Sequence, residues 1–184
     1  MALFYLVRHG EPDYSTVREA GFRGFGVDFA PLTERGVAQA ENAAQDPRLK
    51  TARLIVSSPY PRALQTAQII SRATGLKVAV ELDLREWIPD WENRYVTQEE
   101  SVELQREFQA YRGEYPEGKK LRWETVSSMR TRMRRVADKY ADLNRVILVG
   151  HGMAFRSLTG TEKMEHAEIM EFAYSIGQPD ISYF

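Results

Sequence analysis

Four short apolar runs punctuate this chain: Leu3 to Val7, Leu54 to Val56, Val78 to Val80 and Val146 to Val149. Rich in branched and aromatic residues, they read as short strands. Helical patterns lie between them. Thr33-Glu34 opens one to about Gln45, closed by Pro47. A second follows Ser57-Ser58-Pro59, with Ala63, Ala67, Ile70 and Ala73 on one face and Gly75 at its end. Val126, Met129, Met133, Val136 and Tyr140 mark a long amphipathic helix, and another starts near Met153. Strands alternating with helices predict an α/β fold, a three-layer α/β/α sandwich with a mainly parallel central sheet.

At 184 residues the chain has the length of one ordinary domain, and no linker or repeat divides it. Residues 11–31 read as a long loop. The pattern blurs from Trp87 to Trp123, where a helix fits Gln98 to Tyr111 and Gly113 to Lys119 reads as a turn. We expect a single domain over 1–184, with a small insertion at about 87–123 covering the sheet end.

Composition removes whole classes of chemistry. Cysteine is absent, so thiol nucleophiles, disulfides and thiolate metal sites are excluded. A net charge of −1 argues against a surface built wholly for nucleic acid. The start, MALFYLV, lacks the basic region of a signal peptide. No apolar run approaches the roughly 20 residues that span a bilayer. The expectation is a soluble, cytoplasmic protein without nucleic-acid or membrane partners, its oligomeric state unspecified.

In open α/β sheets, ligands bind beyond the carboxyl ends of the strands. There the first run delivers Arg8 and His9, the last delivers His151, and the second delivers Ser57, Ser58 and, one turn on, Arg62. Arginine and histidine together suit an anion, since the guanidinium fork matches phosphate oxygens. Gly10 and Gly152 flank the histidines and let backbone approach closely.

These residues carry a resemblance. Leu6-Val7-Arg8-His9-Gly10-Glu11 is similar to the signature of the histidine phosphatase superfamily, the phosphoglycerate-mutase-like proteins. Pro31-Leu32-Thr33-Glu34-Arg35-Gly36, Ser57-Ser58-Pro59-Tyr60-Pro61-Arg62-Ala63, Leu82-Asp83-Leu84-Arg85-Glu86 and Val149-Gly150-His151-Gly152 resemble its later blocks, in order, from residue 3 to about 158. The resemblance implies a phosphoglycerate-mutase-like fold and a metal-independent phosphomonoesterase of the EC 3.1.3 type. It implies His9 as nucleophile, Arg8, Arg62 and His151 as phosphate ligands, and Glu86 as proton donor, without cofactor or metal. A mutase and a non-catalytic phospholigand-binding module are the alternatives. A salt bridge to Arg85 or Arg94 is the structural alternative for Glu86.

The chain departs from the family pattern at Pro12 and Ser15 and over Trp87-Ile88-Pro89-Asp90-Trp91. The substrate walls are expected from residues 11–30 and 87–123, with Glu11, Tyr14, Arg18, Arg23, Trp87 and Trp91 as pocket candidates. Phe22, Arg94 and Tyr95 are further offers. The expected partner is a small phosphorylated metabolite, with a phosphoprotein as alternative. Three other signals read as structural. Gly113 to Lys120 nearly spells a P-loop but lacks the hydroxyl and the preceding strand. Arg130, Arg132, Arg134 and Arg135 read as a solvated helix face paired with Asp138 and Asp142. His166 reads as a structural residue of a Glu-rich helix.

Overall fold

The computed structural model describes residues 1–95 and 97–184. Five strands form one sheet: β1 (Ala2–Arg8), β2 (Ile55–Ser57), β3 (Val78–Val80), β4 (Arg145–Gly150) and β5 (Ile169–Tyr174). Their order is β3-β2-β4-β1-β5. The first four run parallel and β5 pairs antiparallel to β1. The expected mainly parallel sheet therefore forms. The fifth strand, Ile169–Tyr174, was not foreseen: Glu171 interrupts its apolar residues, and it lies at the sheet edge with most of its residues half-buried or exposed.

Helices α1 (Tyr14–Glu19), α2 (Glu34–Ala43), α3 (Pro61–Thr74), α4 (Gln98–Ala110), α5 (Val126–Tyr140) and α6 (Gly152–Thr159) complete the fold. Each long helix begins on a local signal. Thr33 and Thr125 accept hydrogen bonds from the amides of Gly36 and Ser128. Pro61 opens α3, and Gly75 ends it at φ 74°. Thr97 and Glu100 form a capping box at α4, which satisfies two amides the helix itself leaves free.

Alternation along the strands builds two cores. Phe4, Leu6, Val56 and Leu148 point to one face and pack against Met133, Val136 and Phe155 of α5 and α6. Tyr5, Val7, Ile55, Ile147 and Val149 point to the other, against Ala63, Ala67 and Ile70 of α3. Each fully buried Phe, Leu or Ile contributes roughly 1.5–3 kcal/mol by leaving water. A third cluster, with Trp87, Leu104, Phe108, Trp123 and Tyr183, lies beside this sandwich.

Four local expectations need correction. Residues 11–31 are not one loop: they hold α1 and a 3₁₀ turn at Gly24–Phe29. His166 lies in a turn before β5, not in a helix. Arg132 is buried, not solvated. Asp138 accepts from the Tyr174 hydroxyl, while Arg130 and Arg134 pair with Asp180 and Arg135 with Asp83. For the arginines and Asp138, long-range partners in β5, the C-terminal segment and the 82–86 turn claim groups that local spacing assigns to neighbours, whereas α1 rests on a local signal, the Asp13 cap on Ser15 N. Among the described residues no helix is long and apolar enough to cross a membrane.

Candidate active site

The ends of β1, β4 and β2 lie side by side, because Arg8 pairs with Gly150 and Ser57 with Val149 in register. The next residues, His9, His151 and Ser58, therefore leave the sheet together. Backbone bonds fix the exits: His9 N donates to Gly150 O at 3.0 Å and Ser58 N to Val149 O at 2.9 Å. The turn at Ala167 donates its N–H to the carbonyls of both Arg8 and His9. After His9 the chain passes under α2. A Cβ on Gly10 would lie 2.3 Å from Gly36 O, and one on Gly36 would lie 2.2 Å from Glu11 O. Both positions thus require glycine.

His9 is 4% exposed and His151 fully buried, with ring centroids 5.1 Å apart. His9 Nδ1 lies 2.7 Å from Gly10 O. A carbonyl only accepts, so Nδ1 carries the proton and Nε2 the lone pair. Arg62 Nε–H points at that Nε2 from 3.3 Å. Burial, then Arg62, hold the His9 imidazole well below its ordinary range, against an upward pull from Gly10 that exceeds the further lowering by Arg8. Burial, Arg62 and His9 do the same to His151. Both rings are neutral at pH 7.

Around these rings stand donors with capacity left. Among the described residues, Arg8 Nε and His151 Nδ1 are buried without a hydrogen-bond partner. Arg8 Nη1 is anchored on Met164 O and His151 Nε2 on the Ser58 hydroxyl at 2.8 Å. Two buried polar atoms facing no protein group are costly unless a ligand takes them up.

Glu86 forms no ion pair with Arg85 or Arg94; those pair with Asp83 and Glu124 and with Glu92. Its carboxylate instead caps α6. Oε1 accepts from Trp87 N at 2.8 Å and Ala154 N at 3.0 Å, and Oε2 from Met153 N at 3.2 Å. The helix so capped is the one that His151 precedes.

A cleft of about 380 Å³ opens from Arg62 and Glu86 and is lined by Tyr14, Arg18, Trp87 and Tyr95 among others. Three of the expected pocket residues, Tyr14, Arg18 and Trp87, therefore meet there. Glu11 does not: its carboxylate accepts from the Thr33 hydroxyl and pairs with Arg35 at 3.5 Å. Arg23 is exposed, and Trp91 lies 41% exposed, near the Arg85 guanidinium. Neither lines the cleft.

Sequence reasoning missed three participants. Asp28 holds Arg62: Nη1 donates to its carbonyl at 3.2 Å and Nη2 to its carboxylate at 3.0 Å. Burial, working against Arg62, pushes the Asp28 carboxyl up. No local pattern marks Asp28. His166 lies beside His9, ring centroids 5.7 Å apart, because β5 brings it back. Arg132 did carry a signal, since it falls on the stripe of Met129, Met133 and Val136, where a charge needs a partner. No group of three or more His, Asp or Glu is placed for a metal ion among the described residues.

Comparison with known proteins places the chain in a family. Residues 4–175 match the histidine phosphatase superfamily, branch 1. A Yersinia pestis protein named "Probable phosphoglycerate mutase GpmB" is 36% identical over 169 residues, spanning 88% of this chain and 74% of that protein. The structure of Bacillus stearothermophilus YhfR superimposes with a TM-score of 0.74 at 20% identity, covering 100% of this chain and 99% of the other. Mycobacterial glucosyl-3-phosphoglycerate phosphatase Rv2419c, solved with VO3, gives 0.71 at 23% identity over 94% and 91%. The chain belongs to the histidine phosphatase superfamily, branch 1, whose members are phosphatases and mutases.

Proposed function

We propose that the protein is a metal-independent phosphomonoester hydrolase that works through phosphohistidine on His9. One observation carries this reading: a buried, neutral imidazole presents its Nε2 lone pair to a pocket of arginine donors. A nucleophile must keep its lone pair, and a transferring phosphoryl group needs fixed positive charge around its oxygens. Arg8 and the Arg62 guanidinium, through Arg8 Nε and the two Arg62 protons not taken by Asp28 or His9, supply that charge, and the neutral His151 adds Nδ1 as an uncharged hydrogen-bonding group.

His9 Nε2 attacks phosphorus, the ester P–O bond breaks, and the departing oxygen takes a proton from the Glu86 carboxyl. Water then attacks phosphorus, the P–N bond breaks, and Glu86 takes the water's proton. Two carboxylate oxygens offer about four lone-pair sites. Three face Trp87, Met153 and Ala154 amides, so the fourth, on Oε2, is the site for the working proton.

A cleft of about 380 Å³ suits a small phosphorylated metabolite, with Arg18 at its rim for a second anionic group. The name of the Yersinia relative favours a second reading, a phosphoglycerate mutase. One experiment separates them. The protein is given a phosphoglycerate and a panel of phosphometabolites, with EDTA present, and phosphate release is followed. Steady release, with acid-labile and base-stable label trapped on the protein, is expected. Isomerised product without phosphate release establishes the mutase. Activity that requires Zn²⁺ or Mg²⁺ overturns both.

A further inference from the structure

Beneath the turn that carries Glu86 lies a charged cluster without solvent access. Arg132 is 1% exposed and Glu124 fully buried. Arg132 Nε and Nη2 hold the two Glu124 oxygens at 2.8 and 2.9 Å. The same guanidinium donates through Nη1 to the carbonyls of Asp83 and Arg85, at 2.6 and 2.7 Å, and through Nη2 to that of Glu86 at 3.2 Å. Glu124 grips the same segment from its own backbone: its N–H donates to Ile88 O, and its carbonyl accepts from Trp87 Nε1, both at 2.8 Å. Arg85 adds a bond to Glu124 Oε1 at 3.3 Å.

A buried ion pair of this kind is poorly explained by stability. Desolvation offsets most of its attraction, and apolar residues of similar volume often serve as well. What apolar residues cannot supply is donors. Asp83, Arg85 and Glu86 lie in or just after a 3₁₀ turn, with no strand beside them. A carbonyl drawn even partly out of water without a partner is costly, and these three are part-buried. Only a fork with donors on several edges satisfies three of them at once.

From this we infer that Arg132 and Glu124 are positioning residues for the proton donor: they fix the 83–88 backbone so that the Glu86 carboxylate stays on the first turn of α6, the helix that His151 precedes. The inference rests on the acid role proposed for Glu86. It assigns to this pair an effect on leaving-group protonation that a merely structural pair does not have.

The test compares kcat/KM for nitrophenyl phosphate, whose leaving group departs unassisted, with that for glycerol phosphate, whose alkoxide needs a proton. The variants are Glu86→Gln, Arg132→Lys and their combination, each checked for a cooperative melt. Glu86→Gln is expected to lower the glycerol phosphate value at least about tenfold more than the nitrophenyl value, as loss of a general acid does. Arg132→Lys keeps the charge but not the fork, and is expected to shift the ratio about three- to tenfold the same way. In the Glu86→Gln background it is expected to leave the ratio unchanged, because the group it positions is gone. Glu124→Gln carries the same comparison if Arg132→Lys does not fold. Equal losses on both substrates in Arg132→Lys, or a ratio shift persisting in the double variant, overturn the positioning role alone. A Glu86→Gln variant with no change of ratio overturns the acid role and this inference with it.

Discussion

The strand-end centre and the rim of the cleft are built by different means. Arg8 ends β1 and His9 and His151 follow β1 and β4, which are neighbours in the sheet, while Arg62 is the second residue of the helix after β2. Hydrogen-bond register sets their spacing. The rim comes from two segments some 70 residues apart in the chain. Single side-chain bonds join them, Arg18 Nη2 to Gln98 Oε1 and Phe25 N to Asn93 Oδ1, both at 2.7 Å and both exposed. A sheet edge so fixed suits chemistry, which tolerates little displacement. A rim held by exposed single bonds suits selection among substrates, which tolerates replacement.

The largest break in that comparison comes from removing the nucleophile. His9→Ala is expected to lower kcat on nitrophenyl phosphate on the order of 10⁴-fold or more while keeping a cooperative melt. The side chain leaves from a loop after β1 and takes no bond of the sheet with it. Comparable turnover by variant and parent sinks the phosphohistidine mechanism.

The centre also carries a stability cost of its own. His9 and His151 are held neutral well below the ordinary histidine range. Below about pH 6.5 the unfolded chain takes up a proton on each, and the folded chain does not. Stability therefore falls as pH drops from about 6.5 toward the folded values, at a slope of up to about 1.4 kcal/mol per pH unit for each ring. Urea unfolding between pH 7.5 and 4.5 measures it. His9→Ala, which removes one of the two rings, is expected to reduce the slope relative to the parent. An unchanged slope means that the ring is protonated in the folded state, and the neutral nucleophile is lost as an explanation.

The division also decides what could be read from the chain. The four parallel strands and the residues Arg8, His9, Arg62, Glu86 and His151 stand in short contiguous patterns, so their places on the fold were legible. Asp28 was not, because its partner Arg62 is 34 residues away and no period links them. His166 was misread because its neighbours Glu165 and Glu168 suggest a helix, whereas β5 pairing turns the chain back to His9. Glu11 and Trp91 show the converse. Proximity in sequence to His9 and Glu86 made them pocket candidates, yet Thr33 with Arg35 and the exposed face beside Arg85 hold them elsewhere. Local pattern places groups on elements; only packing decides which way a loop residue faces.

The smallest effects sharpen the rim itself. Arg18 lines the cleft, whereas Arg23 and Trp91 stand outside it. Arg18→Ala is expected to raise KM about fivefold for a substrate with a second anionic group and to leave kcat unchanged. An exposed charge on one bond gives modest, salt-screened binding felt equally before and during the reaction. For nitrophenyl phosphate, which has no second anion, KM is expected to stay within about twofold. Arg23→Ala and Trp91→Ala, surface changes away from the cleft, are expected to stay within about twofold on both substrates. Steady-state kinetics at low and at 0.5 M salt check all three variants, and the Arg18 effect is expected to shrink at the higher salt. If Trp91→Ala raises KM as much as Arg18→Ala does, substrate reaches across the exposed face beside Arg85. The cleft is then one end of a larger docking surface, and a phosphoprotein becomes the better fit than a small metabolite.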